Sequence, residues 1–345
     1  MKPVTVAVCA GMILLILSAC QLISQPQENT TPSITETTPQ TQPSVPETTA
    51  PPPTEVSQPT EPTEVTQPTE PAEVTQPTEP AEVTQPTEPT EVTQPTEPAA
   101  DLYTKEQLDA MSTKPVSYGP GKTSGGKPAP YAVTHQKEYG KYGASFMTND
   151  ENCIYLTFDC GYEYFAKDEN GKSYPVTGRI LDVLKEKNTK AVFFITLSYA
   201  QKNPELVWRM IREGHVVGNH TSTHPDTSQL SVDDITTEIM TLHNYMLDTY
   251  GYKMTLFRPP EGKFSVRSLA TAQNLGYTTV LWSFAYADWE TDDQPDKDYA
   301  WNRITESAHS GAIYLLHAVS TVNAELLGDV IDNFQSRNYK IPLLG

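Results

Sequence analysis

Asp159, His220, His224, Arg258, Asp288 and His317 are scattered over nearly 160 residues of the chain, yet each stands at or just beyond the end of a short apolar run. Asp159 closes CIYLTFD, the two histidines follow HVVGN, Arg258 follows TLF, Asp288 comes shortly after TTVLWSF, and His317 closes AIYLLH. Hydrolysis by general acid–base catalysis needs a base to activate water, an acid for the leaving group and a fixed positive charge. Carboxylates, imidazoles and a guanidinium at separate strand ends are that set. His220 and His224, in NHTSTHP, are four apart, a spacing that puts two imidazoles on one face of a single turn and suits a divalent metal. HxxxH alone is common on solvated surfaces, so a third ligand must come from elsewhere; Asp159 and its neighbour Cys160, in LTFDCGYE, are the candidates. A metal so held lowers the pKa of its water toward roughly 7 and polarises a carbonyl, which suits hydrolysis.

Strand ends require strands. Ile154, Leu156 and Phe158 alternate with Tyr155, Thr157 and Asp159, a period of two that reads as a strand using both faces. TGRILDVLKEK has apolar residues at helical spacing, and AVFFIT reads as a short buried strand. Asn203-Pro204 supplies an N-cap and a first-turn proline for PELVWRMIREG, with Gly214 placed to end that helix. Ser231 caps a helix ending near Gly251, TLFRPP is a strand, and Ser265 opens SVRSLATAQNLG. TTVLWSF, DYAWNRITESAHSG, AIYLLHAV and NAELLGDVIDNFQSRN continue the alternation toward a final short strand. Alternating strands and helices imply parallel pairing with right-handed crossovers, hence an α/β barrel or a doubly wound sheet. In either, a site lies at the carboxyl ends of the strands.

The N-terminal third is a different object. Lys2, an apolar run from Val4 to Leu17 and the end Leu17-Ser18-Ala19-Cys20 make a lipoprotein-type signal over residues 1–20, with Cys20 as the acylated residue. Residues 21–100 carry 13 Glu and no Lys, Arg, aromatic residue or Gly, and from Glu55 they repeat every nine residues as EVTQPTEPA-like units. Two prolines per unit remove the donors a β-solenoid needs, so an extended, disordered Pro/Thr/Glu-rich stalk is expected. The expected protein is extracytoplasmic, held to a membrane by a lipid anchor and facing the cell wall. Residues 101–151, with YGPGKTSGGKPAPY in their midst, read as an irregular extension, and 152–345 as the catalytic domain. Residues 101–345 have a net charge of −7 with no basic stripe, which excludes a nucleic-acid partner.

LTFDCG, HTSTH, FRPPEG, ADW and LLH, in that order, resemble the motifs of the polysaccharide deacetylases, the NodB-homology domain of carbohydrate esterase family 4, over about Asn152 to Leu344. WSFAYADW, LLHAVSTVNAE and GASFM resemble the subgroup that de-N-acetylates muramic acid in peptidoglycan before muramic δ-lactam forms. The resemblance implies a distorted (β/α) barrel and a monomer acting on glycan strands. It implies Asp159 as general base, His220 and His224 as metal ligands, Arg258 as the group that keeps Asp159 ionised, and His317 as general acid tuned by Asp288. Trp289 and Leu315 would line a pocket for the acetyl methyl, and Pro260 and Glu261, in the RPPEG turn, would touch the sugar. Structural alternatives stand beside these roles: Arg258 as a salt bridge, Asp288 as a loop anchor, His317 as a core histidine, Glu261 as a solvated charge.

Cys160 departs from the family pattern, which has aspartate or asparagine there. A disulfide with Cys153 is excluded, because seven residues of strand span roughly 23 Å and bonded Cα atoms lie within about 7 Å. Both thiols then stay free, which in an exported protein implies a reducing habitat or protection by metal or burial. As a thiolate Cys160 completes a His2Cys site that favours zinc over magnesium or manganese, with cobalt a further candidate; as a neutral thiol it leaves the metal to two histidines and water; as a nucleophile it forms an acyl-enzyme. The first of these is the expectation carried forward. The resulting functional expectation is a metal-dependent de-N-acetylase of N-acetylmuramic acid. The alternatives are deacetylation of peptidoglycan N-acetylglucosamine, chitin oligomers or O-acetyl xylan, and, from another class, a tethered glycan-binding domain without catalysis.

Overall fold

The computed structural model describes residues 102–123 and 125–345. The signal segment with Cys20 and the repeat stalk lie outside the described residues. In chain order the elements are α1 (Lys105–Asp109), β1 (Val116–Ser117), α2 (Pro130–Tyr139), β2 (Ala144–Ser145), β3 (Ile154–Cys160), β4 (Phe165–Lys167), β5 (Ser173–Pro175), α3 (Val176–Glu186) and β6 (Val192–Ile195). There follow α4 (Leu197–Lys202), α5 (Pro204–Arg212), β7 (Val216–Asn219), α6 (Val232–Tyr250), β8 (Leu256–Phe257), β9 (Lys263–Phe264), α7 (Val266–Asn274), β10 (Thr278–Val280), α8 (Lys297–Glu306), β11 (Ala312–His317) and α9 (Thr321–Ser336).

Seven strands form one parallel sheet in the order β11-β3-β6-β7-β8-β10-β2. The sheet curls. After β10 the chain crosses back to β11, where Ser283 donates its N–H to Ile313 O and Leu315 donates to Phe284 O, each at 2.9 Å. This is the distorted barrel rather than the doubly wound alternative. Side chains divide by the period of two. Ile154, Leu156, Phe158, Phe193 and Ile195 pack outward against α3, α5, α6 and α9, while Tyr155, Val192, Phe194, Ile313 and Leu315 fill the concave interior. Complete burial of such a side chain contributes about 1.5–3 kcal/mol, so a one-residue slip of β3 would forfeit several at once.

Helix ends follow local chemistry. The Ser231 and Ser265 hydroxyls accept the N–H groups of Asp234 and Ser268, and Gly251 ends α6 in the left-handed region at φ 63°. Asn203 precedes Pro204 as expected, but its side-chain amide donates back to Tyr199 O and caps nothing. The extension is more ordered than expected: β1 pairs with β9, α1 and α2 are helices, and β2 is an edge strand of the main sheet. The final strand is reduced to a bridge between Cys153 and Lys340. Helix α4 and the hairpin β4–β5 had no periodic signal, being too short to show one. Among the described residues no helix is long and apolar enough to cross a membrane.

Candidate active site

Asp159, at the carboxyl end of β3, meets Arg258 from the end of β8. Arg258 Nη1 donates to Asp159 Oδ1 at 2.7 Å, Nη2 to Thr157 Oγ1 at 2.8 Å, and Nε to Val280 O at 2.9 Å. A guanidinium buried this completely persists only when its donors are satisfied and its charge paired. Its Cζ also lies 4.1 Å from the centre of the Phe194 ring. A Cβ at Gly218 on β7 would fall 2.4 Å from Phe194 Cδ1, so the glycine lets that ring, and Arg258 on it, sit where they do. Burial pushes the Asp159 carboxyl upward, but Arg258, His220 and His317 together outweigh it and hold its pKa below the usual carboxylate value.

His220 and His224 lie on a loop rather than a helical turn, and their rings meet edge to face with centroids 4.9 Å apart. Thr221 and His224 both adopt left-handed backbone, at φ 70° and 62°, a conformation costly for residues with a Cβ. Glu238 on α6 holds the loop in place: its carboxylate accepts from Ser222 N at 3.0 Å, Thr223 N at 2.8 Å and Thr223 Oγ1 at 2.7 Å. Asn219 Oδ1 takes Thr221 N, and Thr221 Oγ1 takes His224 N. The His220 Nδ1 donates to Arg258 O at 2.8 Å, which leaves Nε2 as the free lone pair, 3.5 Å from Asp159 Oδ2. Burial above all pushes the His220 pKa down to about 4, so its imidazole is neutral.

Across the cavity His317, at the end of β11, pairs with buried Asp288. Asp288 Oδ1 lies 2.6 Å from His317 Nδ1, and Oδ2 accepts both His317 N at 2.9 Å and Asn323 Nδ2 at 2.6 Å. Burial opposes a charge on His317, but Asp288, and Asp159 at longer range, lift its pKa above the ordinary imidazole value. Asp159, His220, His224, Glu261, Trp289, Leu315 and His317 line a single cavity of about 1000 Å³. Pro260 is buried next to Glu261 and is absent from the lining. The arrangement offers an ionised carboxylate on one wall, a protonatable imidazole on the other and two further imidazoles between strand ends.

Residues 147–280 match the family model described as polysaccharide deacetylase. An uncharacterised 30.6 kDa protein of Geobacillus stearothermophilus is 38% identical over 232 residues, covering 67% of this chain and 84% of that protein. The peptidoglycan-N-acetylmuramic acid deacetylase PdaA of Bacillus subtilis is 37% identical over 235 residues, covering 68% of this chain and 86% of PdaA. The chain belongs to the polysaccharide deacetylase family. The solved structure of Bacillus subtilis PdaA, a family 4 carbohydrate esterase, agrees: TM-score 0.61 at 36% identity, over 67% of this chain and 96% of that one. Within the deacetylases this chain therefore groups with PdaA.

One expectation for this deacetylase is corrected. Cys160 directly follows Asp159 on β3, so its side chain leaves the opposite face of the sheet and is fully buried in the outer apolar cluster, beside Tyr199 and Glu163. It is absent from the cavity lining, and burial raises its thiol pKa well above the usual value. A neutral thiol behind the sheet is neither a thiolate ligand nor an acyl-accepting nucleophile. The case for zinc that rested on sulfur goes with it. Among the described residues no set of three His, Cys, Asp or Glu side chains is spaced as a complete metal site. Two imidazoles, one with its Nε2 lone pair free and beside an ionised carboxylate, still have the donor chemistry a divalent ion takes. Among the described residues Cys153 and Cys160 are both free, as the strand geometry required.

Several contributors escaped the sequence reading: Thr157 and Asn323, which anchor the two pairs; Glu238, which braces the histidine loop; and Tyr162, Trp282 and Tyr286 on the cavity wall. For Thr157 the strand period was a usable signal, since it places Thr157 and Asp159 on one face. Glu238 sits on the next helix, 15 residues beyond Thr223, and no local pattern marks it.

Proposed function

We propose that this protein removes the N-acetyl group from amino sugars of peptidoglycan, with N-acetylmuramic acid as its preferred sugar. The observation that carries the reading is the opposition of Asp159–Arg258 and Asp288–His317 across one cavity. Asp159, kept ionised, takes a proton from the attacking water at the free edge of its carboxylate. His317, with Nδ1 held by Asp288, presents Nε2 as the acid that protonates the departing amine as the carbon–nitrogen bond breaks. Leu315 and the inner edge of Trp289 would shelter the acetyl methyl. Deacetylases of this family are generally metal-dependent; His220 and His224 would hold the ion, which when bound polarises the amide carbonyl and lowers the pKa of water.

The muramic preference is supported by the likeness to PdaA, whose name states that substrate. A cell-wall substrate places the work outside the cytoplasm, and acylation of Cys20 with an extended stalk would let a monomeric domain reach glycan from a membrane. The test is acetate release from peptide-stripped peptidoglycan strands with zinc, cobalt, manganese or magnesium supplied, followed by analysis of the freed amino sugar. Free muramic-type amine is the expected product. Glucosamine-type amine overturns the sugar assignment, and no acetate from these strands or from chitin oligomers overturns the enzymatic reading.

A further inference from the structure

Glu163 ends the stretch LTFDCGYE, four residues beyond Asp159. Gly161 and Tyr162 line the cavity, whereas Glu163 is absent from the lining and turns behind the sheet. Its Oε1 accepts the Thr177 N–H in the first turn of α3 at 3.1 Å, and its Oε2 accepts the hydroxyl of fully buried Tyr199 on α4 at 2.9 Å. Helix α3 has no side-chain cap of its own, since the residue before it is Pro175. Glu163 supplies, from the neighbouring turn, the anion that a helix N-terminus favours.

The backbone on either side is tied to the same two helices. Thr196, the N-cap of α4, donates its N–H to Cys160 O at 3.3 Å and its hydroxyl to Gly161 O at 3.0 Å, and Val176 N donates to Tyr164 O at 3.0 Å. With the two bonds to the Glu163 carboxylate, the whole turn from Cys160 to Tyr164 is fastened from behind. Burial pushes the Glu163 pKa up, and the hydrogen bonds from Thr177 and Tyr199 offset that only in part. A half-buried acid kept against its own desolvation is there for what its oxygens accept, because hydrogen bonds to an ionised group are about twice as strong as neutral ones.

We propose that Glu163 is a positioning residue for the reaction: its carboxylate latches the Gly161–Tyr164 turn to α3 and α4, and so fixes the end of β3 that carries Asp159. The base then meets the attacking water at a set distance, which a turn free to shift by about an ångström would not hold. The role rests on the deacetylase reading above and adds to it a residue that acts without touching the substrate.

The experiment compares wild type with Glu163→Gln, Glu163→Ala and Tyr199→Phe on peptide-stripped strands, at a temperature where circular dichroism shows all of them folded. Glu163→Ala should lower kcat about 30-fold and change KM less than about threefold, within the range that a small misplacement of a catalytic group produces. Glu163→Gln keeps an oxygen for Thr177 N and an amide for the Tyr199 hydroxyl, so it should recover kcat to within about threefold of wild type. Tyr199→Phe should lower kcat about threefold alone and no further when added to Glu163→Ala, because both changes open one latch. Hydrogen exchange of the Gly161–Tyr164 amides should quicken in Glu163→Ala. Wild-type kcat in Glu163→Ala, equal losses in Glu163→Gln and Glu163→Ala, or additivity with Tyr199→Phe overturns the role. If wild type releases no acetate at all, the deacetylase reading fails, and the exchange rates alone then decide whether Glu163 holds the turn.

Discussion

The carboxylate of Asp288 holds His317 twice, through the ring Nδ1 at 2.6 Å and through the backbone N–H at 2.9 Å, using one oxygen for each. Asn323 and, through it, Tyr286 complete the network, so the imidazole is fixed in both position and tautomer. The pair on the other wall repeats this logic with a guanidinium, Arg258 holding Asp159 and Thr157.

An acid that must carry its proton sets the basic limb of the activity profile. His317 has its pKa raised in the folded protein, by Asp288 against burial, so activity falls as pH rises through that value. The same sign applies to stability: its contribution is complete below the unfolded imidazole value of about 6.5 and is lost as pH rises through the folded one. Asp288→Asn should shift the basic limb of kcat to lower pH and reduce kcat about 100-fold, as measured by pH–rate profiles. An unmoved limb refutes the pairing as the source of the shift.

Arg258 is fully buried and its partner Asp159 nearly so. Arg258→Met should remove activity and cost about 3–5 kcal/mol in urea unfolding, because it strands the Asp159 charge without compensation. A cost below about 1 kcal/mol would show the carboxylate to be solvated and the ion pair dispensable.

Glu238→Ala releases three hydrogen bonds that hold a loop with two left-handed non-glycine residues. The loop should relax and carry His224 away from His220. Chelator competition should then report a roughly 10- to 100-fold weaker affinity for zinc or cobalt, the usual scale for a residue that orients ligands. Near-native melting with wild-type metal affinity would mean that Asn219 and Thr221 suffice.

Cys160→Ala should leave metal content and rate close to wild type, and cost about 1 kcal/mol from the small void behind β3. Cys160→Asp should destabilise far more, because it buries a carboxylate beside Glu163 with no cation facing it. Loss of bound metal in a folded Cys160→Ala protein would reverse the placement of this side chain.

Much of the scaffold was legible because its causes are local. Alternation in β3, the serine caps at Ser231 and Ser265, and the glycine at the end of α6 depend on neighbours a few residues away, and the structure carries each of them. Order along the chain also placed Asp159, His220, Arg258 and His317 at the ends of four strands, β3, β7, β8 and β11, and parallel pairing brings strand ends together. The same period of two contained the answer for Cys160, since adjacent residues on a strand face opposite ways. Treating both as strand-end residues hid it.

The amino-acid sequence by itself determined the alternation of elements, their caps and the family motifs, since these depend on spacing within a few turns of chain. Tertiary structure decided the rest. Asp159 and Arg258 are 99 residues apart, and Asp288 reaches His317 across 29. Whether two such groups meet depends on how far the sheet curls, and that is set by contacts no local pattern encodes: β2 adding an edge, Ser283 and Phe284 returning to β11, Gly218 admitting Phe194. The histidine pair shows the division most plainly. Its spacing suggested one turn, while its geometry is a strained loop whose cost is met by a carboxylate on the following helix, α6.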